Sequence, residues 1–386
     1  MVRVKVPYAS LDTPAVLVDM DKLEANIKEM SQLAAEAGVG LRPHTKIHES
    51  AFIAAMQTKK GTCGVEVGPV EQAEVMAEAG FNDIVVAHPF YGSHKLDTLK
   101  RVLSGPGVTV TIVVDMFEQA EGISQVGQAM GRKIPVLLKL ETGANRYGVL
   151  PREPALKLAR KLRRLPGIEF KGIYTHETGR EPTPEGIERE AFEIATTAVE
   201  TARMLRSEGI PVEHVSVGAS ATYRASCRFI KEGKFPEITE IHPGSGIVGD
   251  IKGVSVLALP EDSCTLAVLV SVMSSSHADH AVIDAGFKTF GADSLIARRD
   301  TPGFFWNRNP RFGSVRGRPD LWLGALHAET GRIFYKDPKR TLDPGDRLEI
   351  IPNNATLVIN LHDQLYGVRN GEVETVIPVT GRGRGN

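Results

Sequence analysis

The sequence is poor in cysteine, and its few cysteines form no metal or disulfide pattern. Cys63, Cys227 and Cys264 are the only three in 386 residues, and they lie far apart. They form no Cys-x-x-Cys pair and no Cys/His spacing of the kind that binds zinc. An odd and sparse set of cysteines argues against a disulfide framework and fits a reducing compartment. We therefore expect a cytoplasmic protein.

An excess of one charge and long apolar runs are also missing. The 46 lysine and arginine residues balance 47 acidic residues, which leaves a net charge of -1. This balance does not indicate a surface for nucleic acid or an anionic membrane. The first residues lack the apolar core of a signal peptide, and no window approaches the roughly 18 to 20 apolar residues of a membrane helix. We expect small-molecule partners, with no nucleic acid and no membrane.

The glycine-rich fingerprint that usually follows the first strand of a doubly wound nucleotide-binding sheet is absent as well. What is present is an alternation of strand-like and helix-compatible runs, about eight pairs within roughly 250 residues, as in a (β/α)8 barrel. The strand-like runs are residues 40–44, 64–67, 83–87, 108–114, 135–140, 170–175, 214–217 and 237–241.

The pattern of apolar and polar residues changes beyond about residue 252. Helical periodicity ends there, and glycine and proline turns separate short apolar runs. We predict strands at residues 265–272, 280–284, 347–351 and 355–361, and a long ordered loop at 298–318. The predicted fold class is α/β, a TIM-type (β/α)8 barrel with a C-terminal all-β domain. We assign residues 13–250 to the barrel, and residues 1–12 and 251–386 to the β domain, which the N-terminal strand completes.

Lys46 lies where the first strand-like run of the barrel ends. The segment Arg-Pro-His-Thr-Lys ends at this residue, and a helix-compatible run follows at 47–56. In a barrel of this kind, such junctions form the rim on which side chains converge around a ligand. By itself the segment leaves three interpretations open, namely a surface cation, a phosphate contact or a Schiff-base nucleophile.

Other rim positions add the remaining parts of a cofactor site. Small and glycine-containing loops at 217–222 and 242–246 follow the seventh and eighth strands, where barrels commonly bind phosphate. Arg146, in a glycine-bounded turn after the fifth strand, suits an anionic oxygen. His176 and Glu177 end the sixth strand and are candidate acids or bases. A lysine, an arginine, an acid–base pair and a phosphate cradle together favour a pyridoxal-phosphate site.

The segment 42–48, Arg-Pro-His-Thr-Lys-x-His, resembles the Schiff-base segment of D-threonine aldolases and D-serine dehydratases. These are pyridoxal-phosphate enzymes of the alanine-racemase-like class. Further segments fit this family in the same order along the whole chain: Thr13-Pro14, 71–74, 141–148, 218–223, 243–245, 282–286 and 367–373.

The resemblance implies a role for each matching residue. Lys46 would form the Schiff base with pyridoxal 5'-phosphate and act as a base at Cα, and Arg146 would contact the phenolic oxygen of the cofactor. It further implies a homodimer in which the β domain of one subunit closes the active site of the other. The remaining cofactor-binding positions are Ser220, Ala221, Thr222, Tyr223, Gly244 and Ser245.

The sequence departs from the family on the substrate side. The family holds a divalent metal through a histidine and an acidic residue or cysteine two positions later, and Asn354 and Thr356 stand at these places. Neutral oxygen ligands alone bind a transition metal poorly, so we expect the metal to be absent or weak. In its place His176 or Glu177 would deprotonate the β-hydroxyl of the substrate.

The resemblance and this departure together lead to a ranking of functions. The favoured one is a lyase that cleaves a D-3-hydroxy amino acid to glycine and an aldehyde, as D-threonine aldolase does. The alternatives are a deaminase similar to D-serine dehydratase, an amino-acid racemase and, in a different class, a non-catalytic pyridoxal-phosphate-binding protein. A β domain retained after the barrel favours an enzyme, because that domain builds the substrate end of the site.

Overall fold

The computed structural model describes residues 6–178, 180–181, 183–256, 260–293, 312–337 and 339–385. The strands in these residues are β1 Val6–Pro7, β2 Ala15–Asp19, β3 Gly40–Leu41, β4 Val65–Val67, β5 Asp83–Val86, β6 Thr109–Val114, β7 Ile134–Lys139, β8 Ile168–Tyr174, β9 His214–Val217, β10 Glu240–Ile241, β11 Leu266–Ser274, β12 His280–Ile283, β13 Gly313–Val315, β14 Leu321–Leu326, β15 Gly331–Tyr335, β16 Arg347–Pro352, β17 Gln364–Arg369 and β18 Glu372–Pro378. The helices are α1 Met20–Ala37, α2 Ala51–Thr58, α3 Val70–Glu78, α4 Ser93–Leu103, α5 Phe117–Ala129, α6 Glu153–Leu162, α7 Pro184–Ser207, α8 Tyr223–Lys231, α9 Ile251–Val256, α10 Phe287–Phe290 and α11 Ala355–Asn360.

Strands β3 to β10 form the predicted barrel of eight parallel strands. Their order is β3-β10-β9-β8-β7-β6-β5-β4, and a parallel bridge between His44 and Glu66 joins the two ends. Helices α2 to α8 alternate with the strands, and α1 packs beside α8 and α2 and takes the place of an eighth helix. Because parallel strands point the same way, the segments after their carboxyl ends meet on one rim.

The second domain is an antiparallel sheet that closes on itself, as the sequence predicted in outline. Strand β16 pairs with both β13 and β11, which closes a ring of six strands in the order β11-β12-β15-β14-β13-β16. Strands β2, β17, β18 and β1 extend this sheet from β11. Closure protects the edges of the ring from pairing with other chains. None of the helices within the described ranges has the length and apolar character needed to cross a bilayer.

Three sequence predictions differ from the structure or lie partly outside the described residues. In the predicted strand at 355–361, Ala355–Asn360 forms helix α11, because Ala355, Val358 and Ile359 are buried at helical spacing. Strand β2 pairs antiparallel with β11 and parallel with β17 in the sheet of the second domain, although the sequence assigned residues from 13 onward to the barrel. In the expected loop at 298–318, residues 313–315 form strand β13, and residues 298–311 lie outside the described ranges.

Glycine 127 allows α5 to pack closely on the segment before β8. An added Cβ at Gly127 would overlap the carbonyl oxygen of Gly167 and approach that of Arg132 at 2.8 Å. Backbone atoms cannot move aside easily, so we expect Gly127→Ala to lower the free energy of unfolding by about 1–3 kcal/mol. Chemical denaturation monitored by circular dichroism would measure this change.

Glycine 122 in the same helix provides the matched control. A Cβ added there would meet only the end of the flexible Leu96 side chain, at 3.1 Å. We expect Gly122→Ala to leave the unfolding midpoint unchanged or to raise it slightly, since alanine favours helix. Equal effects of the two substitutions would contradict the packing argument.

Candidate active site

A cavity of about 560 Å³ opens where the barrel rim meets α9 and α11. It brings together residues that are distant in sequence, because the loops after several parallel strands converge on it. The lining residues that the sequence had singled out are Lys46, Arg146, His176, Glu177, Ser220, Ala221, Gly244, Ser245, Asn354 and Thr356. Thr222 and Tyr223 do not line the cavity and lie buried behind it, at the start of α8.

Lys46 lies in a 3₁₀ turn, Thr45–Ile47, directly after the barrel strand β3. The Thr45 hydroxyl donates to the carbonyl oxygen of Glu66 at 2.9 Å and ties this turn to β4. The helix expected from residue 47 begins only at Ala51. It is delayed because Glu49 has a positive φ of 50° and the amide of Ser50 donates to the His48 ring at 3.1 Å.

The environment of Lys46 favours its neutral amine. Burial lowers its pKa from 10.5 to about 8; the positive charges of Arg146 and Lys252 act in the same direction, and Glu66 opposes them. A neutral amine is the form that reacts with an aldehyde. Lys46 is therefore suited to hold an aldehyde cofactor covalently.

Beneath Lys46 the barrel interior is polar, which the sequence interpretation did not foresee. Glu66 is completely buried, and its Oε1 accepts a hydrogen bond from the Tyr174 hydroxyl at 3.0 Å. Burial raises the pKa of Glu66 to about 8, and burial lowers that of Lys139 to about 8. The Tyr174 ring stacks on that of His242, with centroids 4.2 Å apart. The signal available in the sequence was a charged residue inside an apolar strand, at Glu66 between two valines.

Two loops form a cradle suited to a phosphate. The Ser220 hydroxyl oxygen accepts from the amides of Gly244 at 3.1 Å and Gly246 at 3.3 Å, which joins the loops after β9 and β10. Among the described residues, the amides of Ser220, Ala221 and Ser245 have no hydrogen-bond acceptor. Helix α8 begins directly after the first loop. Free amides beside a helix N-terminus bind anionic groups.

Arg146 is presented by a turn that a carboxylate organises. The Oε1 atom of Glu141 accepts from the amides of Gly143 at 2.5 Å and Asn145 at 3.0 Å. The amide of Gly148 donates to Asp115 at 2.7 Å and anchors the end of the turn. The guanidinium group lies over the Tyr147 ring, 5.6 Å from its centroid. An arginine held in this way in the cavity suits an anionic oxygen.

Glu177 combines burial with an unused oxygen. Its Oε1 accepts from the Gly218 amide at 3.0 Å, whereas Oε2 is buried and has no partner among the described residues. Burial raises its pKa to about 7. The neighbouring His176 is neutral, because burial and then the charge of Lys46 lower its pKa well below 6.5. The cavity thus contains a carboxyl group that can take up or give up a proton near neutral pH.

The donor set of this cavity fits pyridoxal phosphate, whereas Asn354 and Thr356 do not supply the ligands that a divalent transition metal prefers. Lys46, the free amides of the cradle and Arg146 match the aldehyde, phosphate and phenolic oxygen of the cofactor. Asn354, by contrast, accepts from the Leu357 amide at 3.4 Å and donates to Asp293 at 2.8 Å, so both ends of its amide are engaged. Thr356 offers only a neutral hydroxyl.

A group with metal-ligand chemistry occurs elsewhere. A search of the described residues for three or more neighbouring histidine, cysteine or acidic side chains finds one group. It consists of His277, Asp279 and His280, whose ligand atoms lie within 4.8 Å of one another. They lie at the turn between β11 and β12, and none of them lines the cavity. Within one chain this group is therefore separate from the cavity.

Two further cavity residues went unnoticed in the sequence. Asp250 and Lys252 lie at the start of α9, after the last barrel strand. Asp250 is buried, and its oxygens accept from the amides of Gly253 at 2.6 Å and Ala355 at 3.0 Å. The amide of Lys252 donates to the carbonyl of Asn353 at 3.1 Å. No sequence motif marked these residues, because their importance arises from contact with the second domain.

Comparisons with known proteins agree with both domains. Residues 18–252 match the alanine racemase N-terminal domain, and residues 265–368 match a putative serine dehydratase domain. The 3-hydroxy-D-aspartate aldolase of Paracoccus denitrificans strain Pd 1222 is 30% identical over 382 residues, covering 98% of this chain and 94% of that protein. The D-threonine aldolase of an Arthrobacter species is 31% identical over 393 residues, with the same shares covered.

The fold comparison spans the complete chain. The crystal structure of D-threonine aldolase from Filomicrobium marinum superposes with a TM-score of 0.86 at 28% sequence identity. The match covers 99% of each chain. The barrel, the closed antiparallel sheet and the junction between them are therefore shared with that protein.

Proposed function

Since the chain belongs to the alanine-racemase-like, fold type III family of pyridoxal-phosphate enzymes, the family of D-threonine aldolase and D-serine dehydratase, we propose that it cleaves a D-3-hydroxy amino acid into glycine and an aldehyde. The supporting observation is Glu177, which lines the same cavity as Lys46 and whose buried Oε2 has no hydrogen-bond partner among the described residues. An aldol cleavage needs a base at the β-hydroxyl, and Glu177 meets this need without a metal.

Each residue in the cavity has a defined task in this proposal. Bound pyridoxal phosphate would supply an electron sink for the bond that breaks at Cα. Lys46 holds the cofactor and returns a proton to Cα of glycine. Arg146 keeps the phenolic oxygen anionic, and the cradle around Ser220 orients the phosphate. Glu177 accepts the proton of the β-hydroxyl, whose oxygen becomes the carbonyl oxygen of the aldehyde.

Loss of water is the second candidate, and one observation favours it. Burial raises the pKa of Glu177 to about 7, so its protonated form is accessible near neutral pH, and a protonated carboxyl can donate to a leaving hydroxyl. The product would then be a 2-oxo acid and ammonia, as in a dehydratase. We also retain the proposal of a homodimer, in which the β domain of one subunit closes the cavity of the other.

The test is a product assay with the purified protein loaded with pyridoxal phosphate. D-Threonine, D-serine and D-3-hydroxyaspartate are supplied in turn, with and without a metal chelator. We expect glycine and the matching aldehyde, unaffected by chelator. A 2-oxo acid as the main product would favour the dehydratase, and L-amino acid as the product would indicate a racemase. Failure of the protein to bind the cofactor would contradict the whole proposal.

A further inference from the structure

Helix α9 brings a lysine to the positions where the family's metal ligands are replaced. The Lys252 amide donates to the Asn353 carbonyl at 3.1 Å, and Asp250 Oδ2 accepts from the Ala355 amide at 3.0 Å. These two hydrogen bonds hold the first turn of α9 against the segment that contains Asn354 and Thr356. The cavity is lined by Asp250, Lys252, Asn354 and Thr356. Lys252 is thus adjacent to the substrate side of the site.

The charge of Lys252 is available to a ligand. Within the described ranges, its ammonium group forms no salt bridge, whereas both oxygens of the nearby Asp250 are engaged by backbone amides. The positive charge of Lys252 also acts on Lys46, because it is one of the causes that lower the pKa of Lys46. Among the described residues, the cavity has three lysine or arginine side chains: Lys46, Arg146 and Lys252. The first two have tasks at the cofactor, which leaves Lys252 for the substrate.

We propose that the Lys252 ammonium group takes the role of the divalent metal and stabilises negative charge on the β-oxygen of the substrate. This inference rests on the proposed lyase function and adds a residue to it. A positive charge in the same cavity as Asn354 and Thr356 repels a dication and can take over its part in stabilising the β-oxygen. This role would explain two features together. The side chains at the family's metal positions are neutral, and a lysine lines the same cavity.

The proton balance in this step is simple. The β-hydroxyl proton passes to the carboxylate of Glu177, which leaves an anionic oxygen that accepts a hydrogen bond from the Lys252 ammonium. The bond between Cα and Cβ then breaks, its electron pair stays with Cα and is taken up by the cofactor, and the oxygen becomes a neutral carbonyl. In this step Lys252 donates a hydrogen bond to the developing charge and does not transfer its proton.

The decisive experiment compares Lys252→Gln, which removes the charge, with Lys252→Arg, which keeps it. The exposed Lys157→Gln on α6 serves as a control for the loss of a lysine. Each variant is loaded with pyridoxal phosphate, and its visible absorbance reports an intact cofactor site. We expect Lys252→Gln to lower kcat for D-threonine cleavage by about 10²-fold, in the range of losing one oxyanion donor. Lys252→Arg should regain much of this loss, and Lys157→Gln should match the wild type.

A second readout separates this role from a structural one. Exchange of the Cα proton of D-alanine with deuterated water needs Lys46 and the cofactor but no β-oxygen. In Lys252→Gln it should therefore stay within about a few-fold of the wild-type rate, a change that comes only from the effect of the Lys252 charge on the pKa of Lys46 and is far smaller than the expected loss of kcat for D-threonine. Unchanged kcat in Lys252→Gln would overturn the inference, and so would loss of wild-type activity to a chelator with recovery on adding manganese. A defect limited to KM for D-3-hydroxyaspartate would also overturn it, because Lys252 would then bind the side-chain carboxylate.

The outcomes distinguish this inference from the proposed function. If the wild type cleaves D-threonine and Lys252→Gln does so equally well, the lyase function stands and the role of Lys252 falls. If the wild type exchanges the Cα proton of D-alanine but cleaves no 3-hydroxy amino acid, the lyase function falls, and the role of Lys252 falls with it.

Discussion

Replacing Lys46 by alanine is expected to abolish covalent attachment of pyridoxal phosphate and to lower lyase turnover by at least about 10³-fold. The expected loss is large because Lys46 is proposed both to hold the cofactor and to move a proton at Cα. Its amine lies in the cavity with a pKa lowered to about 8 by burial. Visible absorbance after removal of free cofactor, followed by the glycine assay, would measure both effects.

Lys46→Arg is the matched variant, because it keeps a positive charge but cannot form the same bond. It should behave as Lys46→Ala does, whereas Lys60→Ala, an exposed lysine after α2, should be fully active. The wild type offers a pH test of the same group. The neutral amine predominates above pH 8 and falls about tenfold for each pH unit well below it. Cofactor attachment should therefore become slower as the pH decreases from 8 to 6. Cofactor-dependent cleavage by Lys46→Ala at the wild-type rate would refute the assignment.

Replacing Glu177 by glutamine is expected to lower kcat by about 10²–10⁴-fold while the cofactor stays bound. Glutamine has nearly the same shape, and its oxygen can still accept from the Gly218 amide, which now binds Oε1 at 3.0 Å. The variant lacks only the carboxylate that is proposed to take the β-hydroxyl proton. Parallel measurement of kcat and cofactor absorbance separates this chemical loss from misfolding.

The pH profile of the wild type provides an independent check on Glu177. Burial raises its pKa to about 7, so the carboxyl is mostly neutral below pH 7 and mostly ionised above it. Because the proposed base is the ionised form and this pKa is that of the free protein, kcat/KM for aldol cleavage should rise through about pH 7 and then level off. The exposed Glu200→Gln on α7 should keep this profile, whereas Glu177→Gln should lack it. An unchanged kcat in Glu177→Gln would exclude this residue as the base.

Much of the fold was predictable because its signals are local. Each barrel strand is a short apolar run, and each is followed by a helix-compatible run, so the count of eight and the parallel order follow from chain order. Strand β2 was harder to assign to a sheet. Ala15–Val18 is buried on both faces, and such an apolar run fits either sheet equally well. Residues 355–361 were misjudged, because a short apolar run fits a strand or a helix equally well until its cap, Asn354, is recognised.

The cofactor side of the site was predictable for a similar reason. Each of its parts follows a barrel strand: Lys46, Arg146 and the two small-residue loops. The carboxyl ends of parallel barrel strands lie on the same face, so these parts come together. The sequence by itself thus determined the barrel, the family and the residues suited to pyridoxal phosphate. It also predicted that Asn354 and Thr356 stand where the family has its metal ligands.

Only the tertiary structure decided what surrounds these residues. The buried contact of Glu66 with Tyr174 joins β4 to β8 across the barrel interior, and nothing in either segment announces it. The placement of Lys252 depends on hydrogen bonds between α9 and the segment before α11, which are about 100 residues apart in the chain. Burial and charge in the cavity arise from such distant contacts, and they set the pKa values of Lys46 and Glu177. For this reason the cofactor and the candidate base Glu177 could be inferred from the order of residues along the chain, whereas Lys252, the group proposed to supply the positive charge of the metal, became apparent only from the tertiary contacts of α9.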